Sequence, residues 1–508
     1  MLSIEIKNEL MKNKNYYDFI NEISSREIYK GLLAYGLFTE KLPPVFTARG
    51  FFDYCESKSP SFPQKPAEYI YYESMRNVNT PRPLGIPNPA TYQLLCKYVS
   101  DIWPQLQEYF ENETKGQEHI ISRTHIRKMR DSKGLFSMNY KDWKADGTPE
   151  PDLLLGARYL VHADISNCFP SIYTHALSWA LVGKDLAKQN QNKAQWYNKL
   201  DFYTRNIKNG ETHGLLIGPH VSNLLSEIIL VKIDKALYDL GWRYIRNIDD
   251  YTCYVSTYEE GQLFLTELSE QLRAYDLTLN HKKTAIEELP TASVEYWVRK
   301  INAFTVFNDK EIMNFKEVRA YLDMAIELMK ENNNNAAILN YAMKVLSKKQ
   351  LSNNAKAYYV KTIFHLTVIY PYLVPVLEAY VFEPFGVETT MISTFSGKLY
   401  VEGIKLKNYE AVCYSLYYAI KYGFEIDELN FDTAKRSNHC LFLLFTYLYY
   451  VKKKNRLAIK LCKDFARLLQ KTEMNIFWLF IYEALPQSDL HDYWKAMKTN
   501  GVTFLVDI

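Results

Sequence analysis

The 508-residue sequence has no long apolar run, no cysteine pairing pattern and no strong excess of either charge. Its longest apolar stretch, Cys440 to Val451, is twelve residues. A membrane-spanning helix needs about 20, so no membrane partner is expected. The N-terminal stretch MLSIEIKNELMKNKNYYDF is charged early and lacks the apolar region of a secretory signal. A cytoplasmic location is the expectation. The seven cysteines (Cys55, Cys96, Cys168, Cys253, Cys413, Cys440 and Cys462) are scattered, odd in number and without a C-x-x-C pair. That pattern excludes a disulfide framework or a zinc site and predicts buried thiols in a reducing compartment. A formal net charge of only +3 excludes a generally basic nucleic-acid wrapper. Any nucleic-acid contact must come from local patches.

What is present is core-forming material. Hydrophobic residues make up 47% of the chain, and 41 residues are tyrosine. This is enough for roughly two to four domains, each with its own core. Residues 1–40 carry apolar positions near helical spacing at Ile20, Ile23, Ile28, Leu32 and Leu33, and Lys41-Leu42-Pro43-Pro44 ends the pattern. Residues 76–92 hold four prolines and one glycine, which predicts an extended, turn-rich segment. From Tyr159 to Pro290 strand-like and helical runs alternate, as in a compact α+β unit. Beyond about Phe304 strand signals fade. Helical runs then recur between polar breaks at Asn332–Asn335, Ser352–Asn354 and Lys452–Asn455, as in an array of paired helices. The simplest division is an α+β part, residues 1–300, and an all-α part, residues 301–508.

Two acidic elements carry the chemistry. Tyr159–Ile165 reads as a buried strand with Asp164 at its C-terminal end, within the motif YLVHADISNCFPSIY. In Arg243–Val255 (RYIRNIDDYTCYV) aromatic and β-branched residues flank Asp249-Asp250, which predicts a hairpin with carboxylates at or near its tip. Taken singly, Asp164 reads better as a strand-end turn, and Asp249-Asp250 as a solvated one. Adjacent acids, however, repel each other unless water or a cation screens them. A hairpin tip laid beside the strand end would put Asp164 and Asp249 within reach of the same ions. Hard divalent cations prefer such ligands. Two of them, about 3.5–4 Å apart, stabilise the attacking and leaving oxygens of in-line phosphoryl displacement. Asp250 is either a further ligand or a group that orients the pair or contacts a primer end.

Between the two lies Glu211–Pro219 (ETHGLLIGP), then a predicted helix, His220 to Leu240, opened by Gly218-Pro219 and closed by Gly241. Gly214 would let backbone approach a flat base or sugar closely. A plain turn before a helix is the alternative. Leu277–Thr284 (LTLNHKKT) reads as a strand followed by a basic turn. There Lys283 is either a solvated cation or a proton donor to departing pyrophosphate.

The order and spacing of these four elements resemble the palm of reverse transcriptases, over roughly residues 40–290. Arg82-Pro83-Leu84-Gly85-Ile86-Pro87 is similar to that family's fingers segment. The resemblance implies an α+β fold of fingers and palm in residues 1–300. It implies an α-helical repeat-like domain in 301–508 that serves as thumb replacement, oligomer interface or sensor. It implies catalysis by Asp164, Asp249, Asp250 and Lys283, with Mg2+ or Mn2+ held by Asp164, Ile165, Asp249 and Asp250. Arg82, with Arg76, would hold the incoming triphosphate, a task that suits arginine's charge-assisted hydrogen bonds. Phe169, His213, Gly214 and Asn247 would line the nucleotide.

In that family a bulky aromatic at the position of Phe169 crowds the ribose 2′ position, which implies dNTP substrates. RNA polymerases tend to carry an aspartate there. Two residues depart from the family pattern: Asn247 where an aromatic is usual, and His213 where glutamine is. Both put ordinary templated, processive synthesis in doubt. Residues 122–134, with Arg123, Arg127, Lys128, Arg130 and Lys133, read as a nucleic-acid backbone contact or as a charged surface helix.

The runs Thr174–Trp179, Gly183-Lys184, Lys188-Gln189-Asn190 and Thr212-His213-Gly214 resemble the bacterial abortive-infection and defence-associated reverse transcriptases. That resemblance implies antiphage defence and a homo-oligomer, trimer or hexamer. It also implies DNA synthesis primed by a protein tyrosine hydroxyl, hence a DNA product attached to protein. Synthesis would run without a template or on a partner noncoding RNA. Tyr16 and Tyr17 are candidate primers only because they lie near the terminus. Two other readings stay open: an RNA-dependent RNA polymerase, and a non-catalytic RNA-binding scaffold with a polymerase shape. The aromatic stretch Ile476–Tyr482 predicts packing or an interface.

Overall fold

The computed structural model describes residues 14–123, 126–128, 147–306 and 312–506. The chain forms two compact units. The first comprises Met1–Thr39, Thr47–Tyr69 and Gly85–Thr291, and the second Glu40–Phe46, Ile70–Leu84 and Ala292–Ile508. Two excursions of the chain, one of them most of a β-hairpin, thus belong to the helical unit. A linear cut near residue 300 would have left both with the α+β part.

The first unit is built on an antiparallel sheet of four strands, in the order Tyr244–Asn247, Asp250–Val255, Tyr159–Asp164 and Ala285–Glu288. Alternation drives the hairpin strand: Tyr251, Cys253 and Val255 are buried, and the residues between them are not. The next strand buries Val161, Ala163 and Asp164, so its aspartate lies at the edge of the core.

Helix Tyr258–Arg273 packs on this sheet. Its Gly261 lies so near that a Cβ would sit 3.1 Å from Ile286 and 3.2 Å from Val161. Thr257 and Glu260 cap the helix reciprocally, each side chain accepting from the other's N–H. Helix His220–Asp239 is buried along most of its length and packs on Tyr258–Arg273, Trp103–Thr114 and Ala176–Val182. Pro219 precedes it, and Gly241, at φ 91°, follows its end, as the sequence led one to expect.

Two segments differ from expectation. The extended run in 76–92 stops at Ile86, and Pro89 opens helix Pro89–Asp101. Proline's missing N–H costs nothing at that first helical position, and the Asn88 side chain accepts from Ala90 N–H. Leu277–Thr284 is not a strand. Leu279 makes one antiparallel bridge to Ile165, a turn follows, and the strand begins at Ala285.

In the second unit Ile70–Met75 pairs with Pro81–Ile86, whose last two residues are counted in the first unit. From Tyr296 onward the unit is helical, apart from a short parallel pair, Ile312-Met313 with Gln350-Leu351. Sequential helices pack on one another: Thr389–Lys405 on Tyr409–Tyr422, that helix on Cys440–Lys452, and the last on Arg456–Thr472 and Trp478–Ala484. The breaks fall where polar residues cluster, at 332–336, 352 and 453–455. The aromatic stretch Phe477–Tyr482 is buried, so it packs the unit's core and is no exposed interface. All seven cysteines are buried and unbridged. Among the described residues no helix is long and apolar enough to cross a membrane.

Candidate active site

Strand pairing sets Asp164 directly opposite Asp250, and Asn247 opposite Asp250 on the other side. The hairpin loop is therefore Ile248-Asp249. Ile165 N–H donates to the Asp249 carbonyl at 3.1 Å, which brings the third acid to the same end of the sheet. The Asp164 carboxylate accepts from Lys283 Nζ at 2.6 Å and from Asn280 Nδ2 at 2.9 Å. Asn280 N–H also donates to the Asp164 carbonyl at 2.7 Å, so the turn before Ala285 is tied to the strand end twice.

The two facing carboxyls diverge electrostatically. Burial raises Asp164, but hydrogen bonds from Lys283, Asp250 and Asn280 outweigh it and hold the group below the ordinary aspartate value. Asp250 is exposed as a residue. Even so, desolvation of its carboxyl, its bond to Asp164 and the charge of Asp249 push it up to about 7. The shifts run in opposite directions, as they do when two carboxyls are hydrogen-bonded to each other.

The donors are all oxygen, which fits hard divalent ions. Among the described residues, however, no three His, Cys, Asp or Glu side chains are arranged as a metal cluster. Two carboxyls converge, and Asp164 is turned toward Lys283 and Asn280. The Lys283 ammonium is held charged by its bond to Asp164, with its pKa above the usual lysine value.

The loop before helix His220–Asp239 lies along the turn after Asp164. Leu215 N–H donates to Phe169 O, and Gly214 N–H to Ile172 O, both at 2.8 Å, and Tyr173 bridges His213. Gly214 has φ 83°, and a Cβ there would stand 2.7 Å from the Pro170 carbonyl oxygen and 2.9 Å from Lys208 Nζ. The chain's own backbone demands this glycine, whether or not a base approaches it. Phe169 is largely buried, His213 is exposed, and Asn247 is half-buried with its Oδ1 enclosed and without a hydrogen-bond partner.

Residues 78–303 match the sequence family described as reverse transcriptase (RNA-dependent DNA polymerase). The chain carries a reverse transcriptase domain. The strand aspartate and the hairpin pair lie inside the matched segment. No curated protein matches the chain. Among solved structures, apo telomerase from Candida tropicalis truncated from its C-terminal domain is 14% identical. That alignment covers 46% of this chain and 52% of the telomerase, with a TM-score of 0.28, so the chain spans about half of that protein. Apo telomerase from the same organism is 13% identical over 80% of this chain and 70% of its own, with a TM-score of 0.32. Neither superposition is close enough to carry an argument.

The remaining expected contact residues differ in burial. Arg76 and Arg82 are exposed on the hairpin of the second unit, where Arg76 begins the turn that Thr80 closes. Of the basic patch, Lys128 is exposed, but its two described arginines are not displayed on the surface. Arg123 and Arg127 are buried and donate to the carbonyls of Gly147 and Arg123, at 2.6 and 2.8 Å, and Lys128 pairs with Glu27. These cations satisfy the fold's own oxygens. Arg130 and Lys133 lie outside the described residues. Tyr16 is not a mobile primer. It is buried, and its hydroxyl donates to Glu227 Oε1 at 3.0 Å. Burial, and then the charge of Glu227, raise its phenol well above the usual value. Tyr17 is half-buried.

Sequence reasoning missed two things. Asn280 sits inside a quoted motif but had no role. Beneath the hairpin, Arg246 is enclosed completely and ion-paired to Glu227 and Asp234. A signal existed for this cluster: an arginine in an otherwise apolar strand, and two acids seven residues apart, hence on one helix face.

Proposed function

We propose that the chain polymerises deoxynucleotides by two-metal-ion nucleotidyl transfer at the end of its palm sheet. The observation that carries this is the register that sets Asp164 against Asp250, with the Asp249 carbonyl bonded to Ile165 N–H. Asp164, Asp249 and Asp250, with the Ile165 carbonyl, would hold Mg2+ or Mn2+. Bound there, such ions stabilise the attacking and leaving oxygens of the displacement. Lys283, charged and beside Asp164, supplies a proton to the departing pyrophosphate. Phe169 selects against the ribose 2′-hydroxyl, and His213, Gly214 and Asn247 meet the nucleotide or primer.

The same reading extends to biology through the runs at Thr174–Trp179 and Thr212–Gly214. Those support a defence-associated enzyme, acting in abortive infection as a homo-oligomer. DNA synthesis there starts on a protein tyrosine, without a template or on a noncoding RNA. Tyr16 is removed from the candidate primers by its burial.

The test is incubation of the full chain with labelled dNTPs or NTPs and Mg2+ or Mn2+, without primer or template, followed by separate protease and nuclease digestion. The expected result is dNTP-specific label that stays with protein until either enzyme removes it. Exclusive use of NTPs would make the chain an RNA polymerase. No polymer from either set, with or without added RNA, would make it a scaffold.

A further inference from the structure

Ile248 has a backbone conformation that its side chain disfavours. Its φ is 60°, at the first of the two loop residues of the hairpin, a place where glycine is the usual occupant. A β-branched residue in that region is strained, and persists only where its surroundings over-determine it.

Among the described residues, the Arg246 side chain grips this loop. Arg246 Nη1 donates to the Ile248 carbonyl at 2.7 Å. Its Nε and Nη2 donate to Asp234 Oδ2 at 2.9 and 2.6 Å. Nη1 and Nη2 also reach Glu227, at 3.1 and 3.2 Å. Both acids project from helix His220–Asp239. Each is braced in turn: Tyr244 hydroxyl donates to Asp234 Oδ1, and Tyr16 hydroxyl to Glu227 Oε1, both at 3.0 Å. The backbone of Arg246 is pinned as well, donating to Ile121 O at 2.8 Å and accepting from Arg123 N–H at 2.7 Å. A guanidinium gripped on every edge cannot turn, so the carbonyl it holds cannot turn either. The next carbonyl along the chain is that of Asp249, which receives Ile165 N–H.

We propose that Arg246 is a positioning residue for the polymerase turn: by holding the Ile248 carbonyl it keeps the strained loop that brings Asp249 to the end of the Asp164 strand. The proposal rests on the reading of the three aspartates as the catalytic set. It assigns the buried cluster a task beyond stability. The N-terminal helix Tyr16–Asn21 joins that task through the Tyr16 hydroxyl.

The test compares Arg246→Lys, Ile248→Gly and the double variant in the full chain. Lysine keeps the charge but loses the fork. Glycine adopts positive φ without strain, so a turn containing it no longer needs its carbonyl held. One readout is hydrogen–deuterium exchange at the Ile165 amide, whose acceptor is the Asp249 carbonyl; it requires neither metal nor nucleotide. The other is nucleotide incorporation, resolved into kcat, KM and the Mg2+ concentration for half-maximal rate.

Arg246→Lys is expected to speed exchange at Ile165 at least about tenfold. It should lower kcat roughly ten- to a hundredfold, with KM for nucleotide changed less than about threefold. The double variant should recover most of both losses. An Ile165 amide unchanged in Arg246→Lys would overturn the proposal. So would a loss spread over helix His220–Asp239 that glycine at 248 does not rescue. A wild-type chain that incorporates nothing would sink the aspartate reading alone, because exchange at Ile165 decides the behaviour of the turn without it.

Discussion

Glu410, in helix Tyr409–Tyr422 of the second unit, is completely buried and accepts hydrogen bonds from Ser74 Oγ and Met75 N–H, both at 2.7 Å. Burial pushes its carboxyl from the ordinary 4.5 up to about 7, against those two bonds and the charge of Lys41. Between these values the folded chain keeps a proton that the unfolded chain has lost. The stabilisation is therefore present below pH about 4.5 and disappears as pH rises through about 7, a swing on the order of 3 kcal/mol. Glu410→Gln cannot titrate. Its melting temperature relative to wild type should rise between pH 5 and pH 8, and parallel curves would show an unperturbed carboxyl. A carboxylate of this kind was not legible in the sequence, because its burial depends on a strand 335 residues away in the chain. Asp164 and Asp249-Asp250 were legible, because local alternation places each at the end of a strand. Gly214 was legible as a necessary glycine, but the reason differed: the close neighbour is the Pro170 carbonyl.

At the scale of elements, strands and helices with their own periodicity or caps came out as expected. Tyr159–Asp164, the 244–255 hairpin and helix His220–Asp239 are of this kind. Segments whose state depends on partners did not. Leu277–Thr284 has a strand-like composition, yet its Asn280 and Lys283 are committed to Asp164, which leaves a turn. The basic run from residue 122 looked like a surface, yet Arg123 and Arg127 are drawn inward by backbone carbonyls. Capping allows a quantitative check. Helix Tyr258–Arg273 begins at the reciprocal Thr257–Glu260 cap, and Thr257→Ala should cost about 1 kcal/mol, in the range 0.5–2. Chemical denaturation would read this as a lowered midpoint, with nucleotide incorporation unchanged. A midpoint at the wild-type value would show the cap to be idle.

At the scale of the whole molecule, composition predicts an α+β part followed by helices, and contacts share the chain between two units in another way. The segments 40–46 and 70–84 belong to the helical unit. Contacts decide that membership, and it leaves no mark in local sequence. The arginines expected at a triphosphate are therefore carried by the helical unit. Asn77 Nδ2 donates to Asn335 at 2.6 Å, and Asn79 Nδ2 to Ile369 O at 2.8 Å. The central claim concerns the other unit: distant acids brought together by strand register perform nucleotidyl transfer. The direct test is Mg2+-dependent dNTP incorporation by the wild type and by Asp164→Asn, Asp249→Asn and Asp250→Asn, each checked for an unchanged circular dichroism spectrum. The account predicts that each substitution lowers the rate by roughly 10²- to 10³-fold or more. Folded Asp249→Asn and Asp250→Asn chains that polymerise at the wild-type rate would contradict it.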